Sequence, residues 1–163
     1  MNSLVVYDSQ YGNTEQIARA IATRLEALGP VHVMFVREPT VIDLAGIDLL
    51  VIGGPTQSHG ASRQLRDWVE PIPAAALRDK AAATFDTRLR WPAFLAGSAG
   101  RAIARTLERA GARLLEPPES FLVVGSEGPL ADGELDRAGR WATALASLAA
   151  DRLTPAVPLA GGS

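Results

Sequence analysis

Short apolar runs alternate with amphipathic stretches along nearly the whole chain. Leu4–Tyr7, Val31–Val36, Leu49–Ile52, Ala81–Phe85 and Phe121–Val124 are too short for helices and rich in β-formers, which predicts five buried strands. Between the first two, Thr14–Leu28 places Ile17, Ile21, Leu25 and Leu28 on one helical face, with Glu15 early and Gly29-Pro30 as a stop. "VIDLAGID" reads as a connection holding one helical turn. Ser62 is a candidate cap for a short helix that turns Leu65, Trp68 and Val69 inward and closes at Pro71 and Pro73. A helix through Ile103, Leu107 and Ala110 ends at Gly111. The last helix, from about Gly133 to Ala150, lines up Leu135, Ala138, Trp141, Leu145 and Leu148, with Asp132 as its cap. Strand and helix alternate to five strands, which predicts an α/β fold with a doubly wound parallel sheet and helices on both faces. One domain is expected over residues 1–152, followed by a flexible tail over 153–163 that carries "TPAVPLAGGS".

Composition narrows the functional classes. At 163 residues and 47% hydrophobic, the chain has material for one real core. A net charge of −2 with no basic stripe predicts no nucleic-acid partner. There is no cysteine, which excludes disulfides, thiolate catalysis and Cys-ligated metals. Two histidines, His32 in a strand and His59 in a loop, are a poor basis for a metal site, and none is predicted. No basic and apolar leader opens the chain, and no apolar run approaches the roughly 20 residues that span a bilayer, so a cytoplasmic protein with no membrane partner is expected.

The chemistry concentrates in the first loop. Ligands of open α/β sheets bind beyond the carboxyl ends of the strands, where Ser9–Thr14 must lie. Gly12 lets the backbone fold around a small anion, Asn13 and Thr14 open a helix whose free N–H groups favour negative charge, and the Ser9 and Thr14 hydroxyls add donors. The turn holds no lysine or arginine, which suits a phosphate monoester better than a triphosphate with its metal. It is neither the Gly-x-x-x-x-Gly-Lys-Ser/Thr loop nor Gly-x-Gly-x-x-Gly. The same residues also make an ordinary turn and helix cap, and the turn alone does not separate the two readings.

"SQYGNTE" resembles the FMN phosphate loop of the flavodoxins, with its pattern Ser/Thr-x-Thr/Tyr-Gly-x-Thr. "DLLVIGGPTQSHGAS" is similar to the third strand and flavin-binding loop of that family, many members of which carry Gly-x-Pro-Thr there. With nothing inserted in the last strand, the chain resembles the short-chain members as far as about Ala150. The resemblance implies strand order 2-1-3-4-5 and FMN as cofactor, with phosphate held by Ser9, Gly12, Asn13 and Thr14. It implies an isoalloxazine ring between the loops Gly54–Gly60 and Asp86–Gly97. The ribityl and ring contacts would then come from Gln10, Tyr11, Pro55, Thr56, Gln57, His59, Gly60, Asp86, Thr87, Arg88 and Trp91. Backbone amides and carbonyls near Pro55, Thr56 and Gln57 are candidates for those contacts. Gly53-Gly54 either ends the third strand or admits a flat ring. Trp91 is the stacking candidate, with Phe94 assigned to the core.

Two features depart from the family. The loop after strand three has no Trp or Tyr, which leaves His59 or Pro55 to cover that ring face. Arg63, Arg88 and Arg90 flank the site where acidic residues are usual; beside the ring such cations would favour anionic reduced flavin, and otherwise they are solvated loop charges.

Other chemistries fit less well. A phosphoacceptor receiver needs an aspartate after strand three and a lysine after strand five, and neither is present. "AGSAG" nearly matches a nucleophile elbow, but Ala96 replaces its first glycine and no strand leads into the serine. The leading expectation is an FMN-binding electron carrier between a reductase and an acceptor, with no catalytic side chain, as a monomer or weak dimer. The alternatives are an FMN-dependent NAD(P)H:quinone-type reductase and a flavin-free interaction module of the same fold.

Overall fold

Ser3–Tyr7 forms β1, buried along its whole length, as an unbroken apolar run in a central parallel strand requires. A computed structural model describes residues 1–38, 42–57, 60–90 and 97–154. β1 pairs in parallel with β2 (Val31–Phe35) on one side and β3 (Leu49–Pro55) on the other. β3 continues the sheet to β4 (Ala81–Leu89). The far edge is shared by β5 (Arg113–Leu114), beside the start of β4, and β6 (Glu119–Val123), beside its end. The strand order is therefore 2-1-3-4-5, as the sequence predicts, with the fifth place split in two. Pro117 and Pro118 fall in the gap, and neither has an N–H to give a neighbouring strand.

Alternation along the strands sorts the core into two faces. Val5, Tyr7, Val51, Ala83, Phe85 and Phe121 face α1 (Asn13–Leu25) and the last helix, α5 (Glu134–Leu153). Phe85, Phe121 and Trp141 meet edge to face there, at centroid distances of 6.0, 6.2 and 6.0 Å. Leu4, Val6, Leu50, Ile52 and Ala82 face α2 (Arg63–Val69), the single turn α3 (Ala74–Leu77) and α4 (Ala99–Arg109). Ser62 caps α2 through Oγ, which accepts from Leu65 N at 3.3 Å.

Several boundaries differ from the sequence reading. The inward face of α1 closes at Leu25; Leu28 lies in a 3-10 turn (Glu26–Leu28) and is exposed. α5 begins with Gly133 at its N-cap, in the left-handed region at φ +81°, rather than Asp132. Glu134 takes the inward position, which turns Leu135 to solvent. β3 runs on through Gly53, Gly54 and Pro55, and β4 runs on to Leu89, so neither strand stops where its apolar run does. The glycines have a packing role. A Cβ on Gly53 would sit 2.2 Å from Phe85 Cζ, and one on Gly54 would sit 2.2 Å from Leu65 Cδ1. Core side chains, not a ligand ring, occupy the space the missing Cβ atoms leave.

The open edge of β6 is covered by its own chain. Leu122 N donates to Glu134 Oε2 at 2.6 Å, and Leu122 O accepts from Ala131 N at 2.8 Å. Arg137 Nη2 donates to Ser120 O, and Val124 N to Pro129 O. An edge strand satisfied in this way offers little to a strand from another molecule.

Candidate functional site

Three connections leave the carboxyl end of the sheet, after β1, β3 and β4, and their described residues are 8–12, 56–57 with 60–62, and 90 with 97–98. Tyr7 ends β1 packed on Phe35, with ring centroids 5.4 Å apart. Burial, reinforced by the nearby Glu15 carboxylate, pushes its hydroxyl above the ordinary tyrosine value, so it stays protonated at neutral pH. Asp8 follows, fully buried, and its Oδ1 accepts from Ser9 N at 3.0 Å.

The turn into α1 is held by one hydroxyl. Ser9 Oγ accepts from Gly12 N at 3.1 Å and from Glu15 N at 3.4 Å. Gly12 sits at φ +88°, a conformation that favours glycine, and a Cβ there would meet open space. Thr14 Oγ1 bonds Thr87 Oγ1 at 2.7 Å, which ties the first turn of α1 to β4. Among the described residues nothing supplies an acceptor to the N–H groups of Gln10, Tyr11, Asn13 or Thr14.

The N-terminus of α4, at the same end of the sheet, is the opposite case. Ala99 N donates to Thr56 Oγ1 at 3.0 Å, Gly100 N to Asp86 Oδ2 at 3.1 Å, and Arg101 N to Ser98 Oγ at 3.1 Å. Ser98 Oγ in turn donates to Asp86 Oδ2. α4 therefore spends its free donors on the protein, while the first-turn N–H groups of Asn13 and Thr14 in α1 have no acceptor among the described residues. An anion finds a helix dipole and unclaimed N–H groups at α1 alone of the two.

The other residues singled out in the sequence fall into distinct places. Gln10 and Gln57 join the connections after β1 and β3, with Gln57 Nε2 donating to Gln10 Oε1 at 3.1 Å. Tyr11 is about half exposed, at 51%. Asn13 turns away from the first loop: its Nδ2 donates to Glu127 O at 3.1 Å, packed so closely that Gly128 has no room for a Cβ. The amides expected to reach a ligand from the connection after β3 are already used. Thr56 N donates to Thr87 O at 3.0 Å and Gln57 N to Gly60 O at 2.9 Å, while Pro55 has no N–H. Asp86 is fully buried beneath the loops and serves α4, although its Oδ1 meets no partner. Arg88 points to the α4 side of the sheet, where it lines a cavity with Arg101 and Arg137. Arg63 pairs with Asp67 along α2 at 3.5 Å, which makes it a helix-surface charge. Ser58, His59, Trp91 and Phe94 lie outside the described residues.

Sequence reasoning missed Arg37. It follows β2 at the same sheet end and reaches Asp8, with Nε donating to Oδ1 at 3.0 Å. The one available signal was a buried-looking acid directly after a central strand, which needs a cation from somewhere. Among the described residues no group of three or more His, Asp or Glu side chains is placed to hold a metal ion, and no helix is long and apolar enough to cross a membrane.

A family model described as "Flavodoxin domain" matches residues 4–92, more than half of the chain and all of the first two connections. The chain belongs to the flavodoxin family. Solved structures agree on the fold. A flavodoxin from the domain Archaea superposes with a TM-score of 0.77 at 20% identity, over 92% of this chain and 99% of its own. Oxidised Flavodoxin 1 from Bacillus cereus gives 0.74 at 17% identity, over 90% and 98%. Rubredoxin oxygen:oxidoreductase from Desulfovibrio gigas gives 0.73 at 15% identity, but 94% of this chain matches only 37% of that larger one. No curated protein matches the sequence at a significant level. Within the flavodoxin family, then, this chain has an open first helix, a capped fourth helix and a buried Asp8 paired with a partly exposed Arg37 beside the turn that joins β1 to α1.

Proposed function

We propose that the chain binds FMN non-covalently and carries electrons between a reductase and an acceptor protein. The contrast between the two helix N-termini carries this reading. α4 is capped by Thr56, Asp86 and Ser98, while the turn into α1 leaves four backbone donors around Gly12 with no acceptor among the described residues. That donor set fits a phosphate monoester. It is neutral, supplied by backbone and hydroxyl groups, and sits at the positive end of a 13-residue helix beside the β1/β3 switch point of a 2-1-3-4-5 sheet.

Bound FMN would supply one- and two-electron chemistry. The chain's own part is binding and positioning. Ser9 Oγ fixes the turn, Thr14 is anchored through Thr87, and the Gln10–Gln57 bond ties the connections after β1 and β3 together. Arg37 cancels the charge of Asp8 under the turn. Tyr7, held protonated, adds no negative charge there.

The test is an absorption spectrum of the protein after mixing with excess FMN and desalting. Retained flavin bands near roughly 370 and 450 nm, shifted from free flavin, are expected. Ser9→Ala should then weaken FMN far more than riboflavin, which lacks the phosphate. A colourless wild-type protein would reduce the Ser9–Thr14 turn to a helix cap and overturn the proposal.

A further inference from the structure

On the α4 side of the sheet, where β4 and β6 end, lies a cavity of about 450 Å³ lined by Arg88, Ser98, Arg101, Ser120, Leu122 and Arg137 among others. That volume is in the range of small-molecule sites. The Nε and Nη1 atoms of Arg88 are shut off from solvent, and no acceptor among the described residues meets either. A guanidinium cannot shed its charge, so this burial costs stability unless an anion offsets it.

Among the described residues no carboxylate pairs with Arg88. Glu119 and Glu134 also line the cavity, but both belong to Arg137, at 2.5 Å from Nη1 and 2.7 Å from Nη2. Asp86, two residues before Arg88 on the same face of β4, is engaged through Oδ2 by Ser98 and Gly100; its Oδ1 has no hydrogen-bond partner among the described residues, and no ion pair joins it to Arg88. Arg101, on the first turn of α4, has no ion-pair partner among the described residues either. The first-turn N–H groups of α4 are already capped, so the guanidinium groups, not the helix end, set the charge of this cavity.

We infer that this cavity binds a small organic anion through a carboxylate or phosphate group, with Arg88 and Arg101 as its charged partners. Pro118 and Leu122 provide apolar wall beside those charges, which suits a ligand with a carbon skeleton. The site is separate from the turn after β1 and does not depend on flavin binding. It also explains why the chain keeps a partly buried arginine with no acceptor for Nε and Nη1 among the described residues: a binding group held at a cost to the empty fold.

The test compares thermal unfolding and calorimetric titration of wild type, Arg88→Met, Arg101→Met and Ser9→Ala in chloride, inorganic phosphate and succinate at matched ionic strength. A saturable rise in Tm with phosphate or succinate is expected in wild type and in Ser9→Ala. Affinity should fall at least tenfold in Arg88→Met and measurably in Arg101→Met. A response to phosphate alone would assign a phosphate group, and a response to succinate a carboxylate. In chloride, Arg88→Met should be at least as stable as wild type, because it removes a charge without a partner. The inference is overturned if no saturable rise occurs with either anion. It is also overturned if the rise survives Arg88→Met and vanishes in Ser9→Ala, which would place the anion at the first loop. A lower Tm for Arg88→Met in chloride would make Arg88 a structural residue and overturn it equally.

Discussion

Arg37 grips Asp8 through two nitrogens, Nε to Oδ1 at 3.0 Å and Nη2 to Oδ2 at 3.4 Å, although one residue follows β2 and the other β1. Asp8 is fully buried, while the Arg37 side chain is 44% exposed. The pair sits directly before the turn whose free N–H groups would receive the phosphate. An uncompensated carboxylate there would repel the phosphate proposed for the turn.

Arg37→Gln is therefore expected to weaken FMN about tenfold or more, roughly 1.4 kcal/mol, and to leave riboflavin affinity much less changed. Arg37→Lys should recover part of the loss, since it restores charge without the two-pronged geometry. The fold should lose about 1–3 kcal/mol in Arg37→Gln, because a buried carboxylate loses its partner while solvent reaches part of the gap. Flavin fluorescence titrations and urea unfolding measure both. Equal losses for FMN and riboflavin would show that the pair supports only the fold.

Thr14 and Thr87 give a cleaner case of mutual dependence, since their hydroxyls meet at 2.7 Å in a buried position. Thr87→Val should cost about 1 kcal/mol by stranding Thr14 Oγ1, and Thr14→Val a similar amount. The double variant should cost clearly less than the sum, because two apolar groups of the same shape then face each other. Strict additivity in a double-mutant cycle would rule out a direct bond.

The fold was legible because its strands are nearly continuous apolar runs and its helices keep period. Ile17, Ile21 and Leu25, or Leu65 and Val69, fall inward where the pattern puts them. Charge and hydrogen-bond partnerships were not legible. Nothing local says that Arg37 reaches Asp8, that Asn13 turns to Glu127, or that Asp86 serves α4, since each partner comes from a distant segment. The strand ends misled for a related reason. Gly53 and Gly54 look like punctuation in one dimension, and only the packed sheet reveals that Phe85 and Leu65 need their space.

That packing predicts unequal costs. In Gly53→Ala the new Cβ would meet the Phe85 ring, which is wedged against Phe121 and Trp141 and has nowhere to turn. In Gly54→Ala it would meet Leu65 Cδ1, the free end of a branched side chain that can change rotamer. Gly53→Ala should therefore cost about 3 kcal/mol and Gly54→Ala about 1 kcal/mol. Urea unfolding reads the difference, and the reverse order would mean that the Phe85 ring is free to shift.

Glu134 predicts how stability responds to acid. Burial works to raise its pKa, but the Arg137 guanidinium and the Leu122 N–H outweigh that and hold it below the ordinary glutamate value. A carboxylate depressed in the folded state contributes stability that is complete above its unfolded pKa, about 4.3, and is lost as pH falls through the lower folded value. Wild type should therefore exceed Glu134→Gln by a constant margin at neutral pH, and the margin should shrink only below about pH 4. Glu134→Ala should be worse than Glu134→Gln at every pH, because Leu122 N–H then has no acceptor and the β6 edge is uncovered. Urea midpoints from pH 3 to pH 8 measure all three proteins. A margin that grew on acidification would mean that Glu134 is held protonated, and its pairing with Arg137 would have to be abandoned.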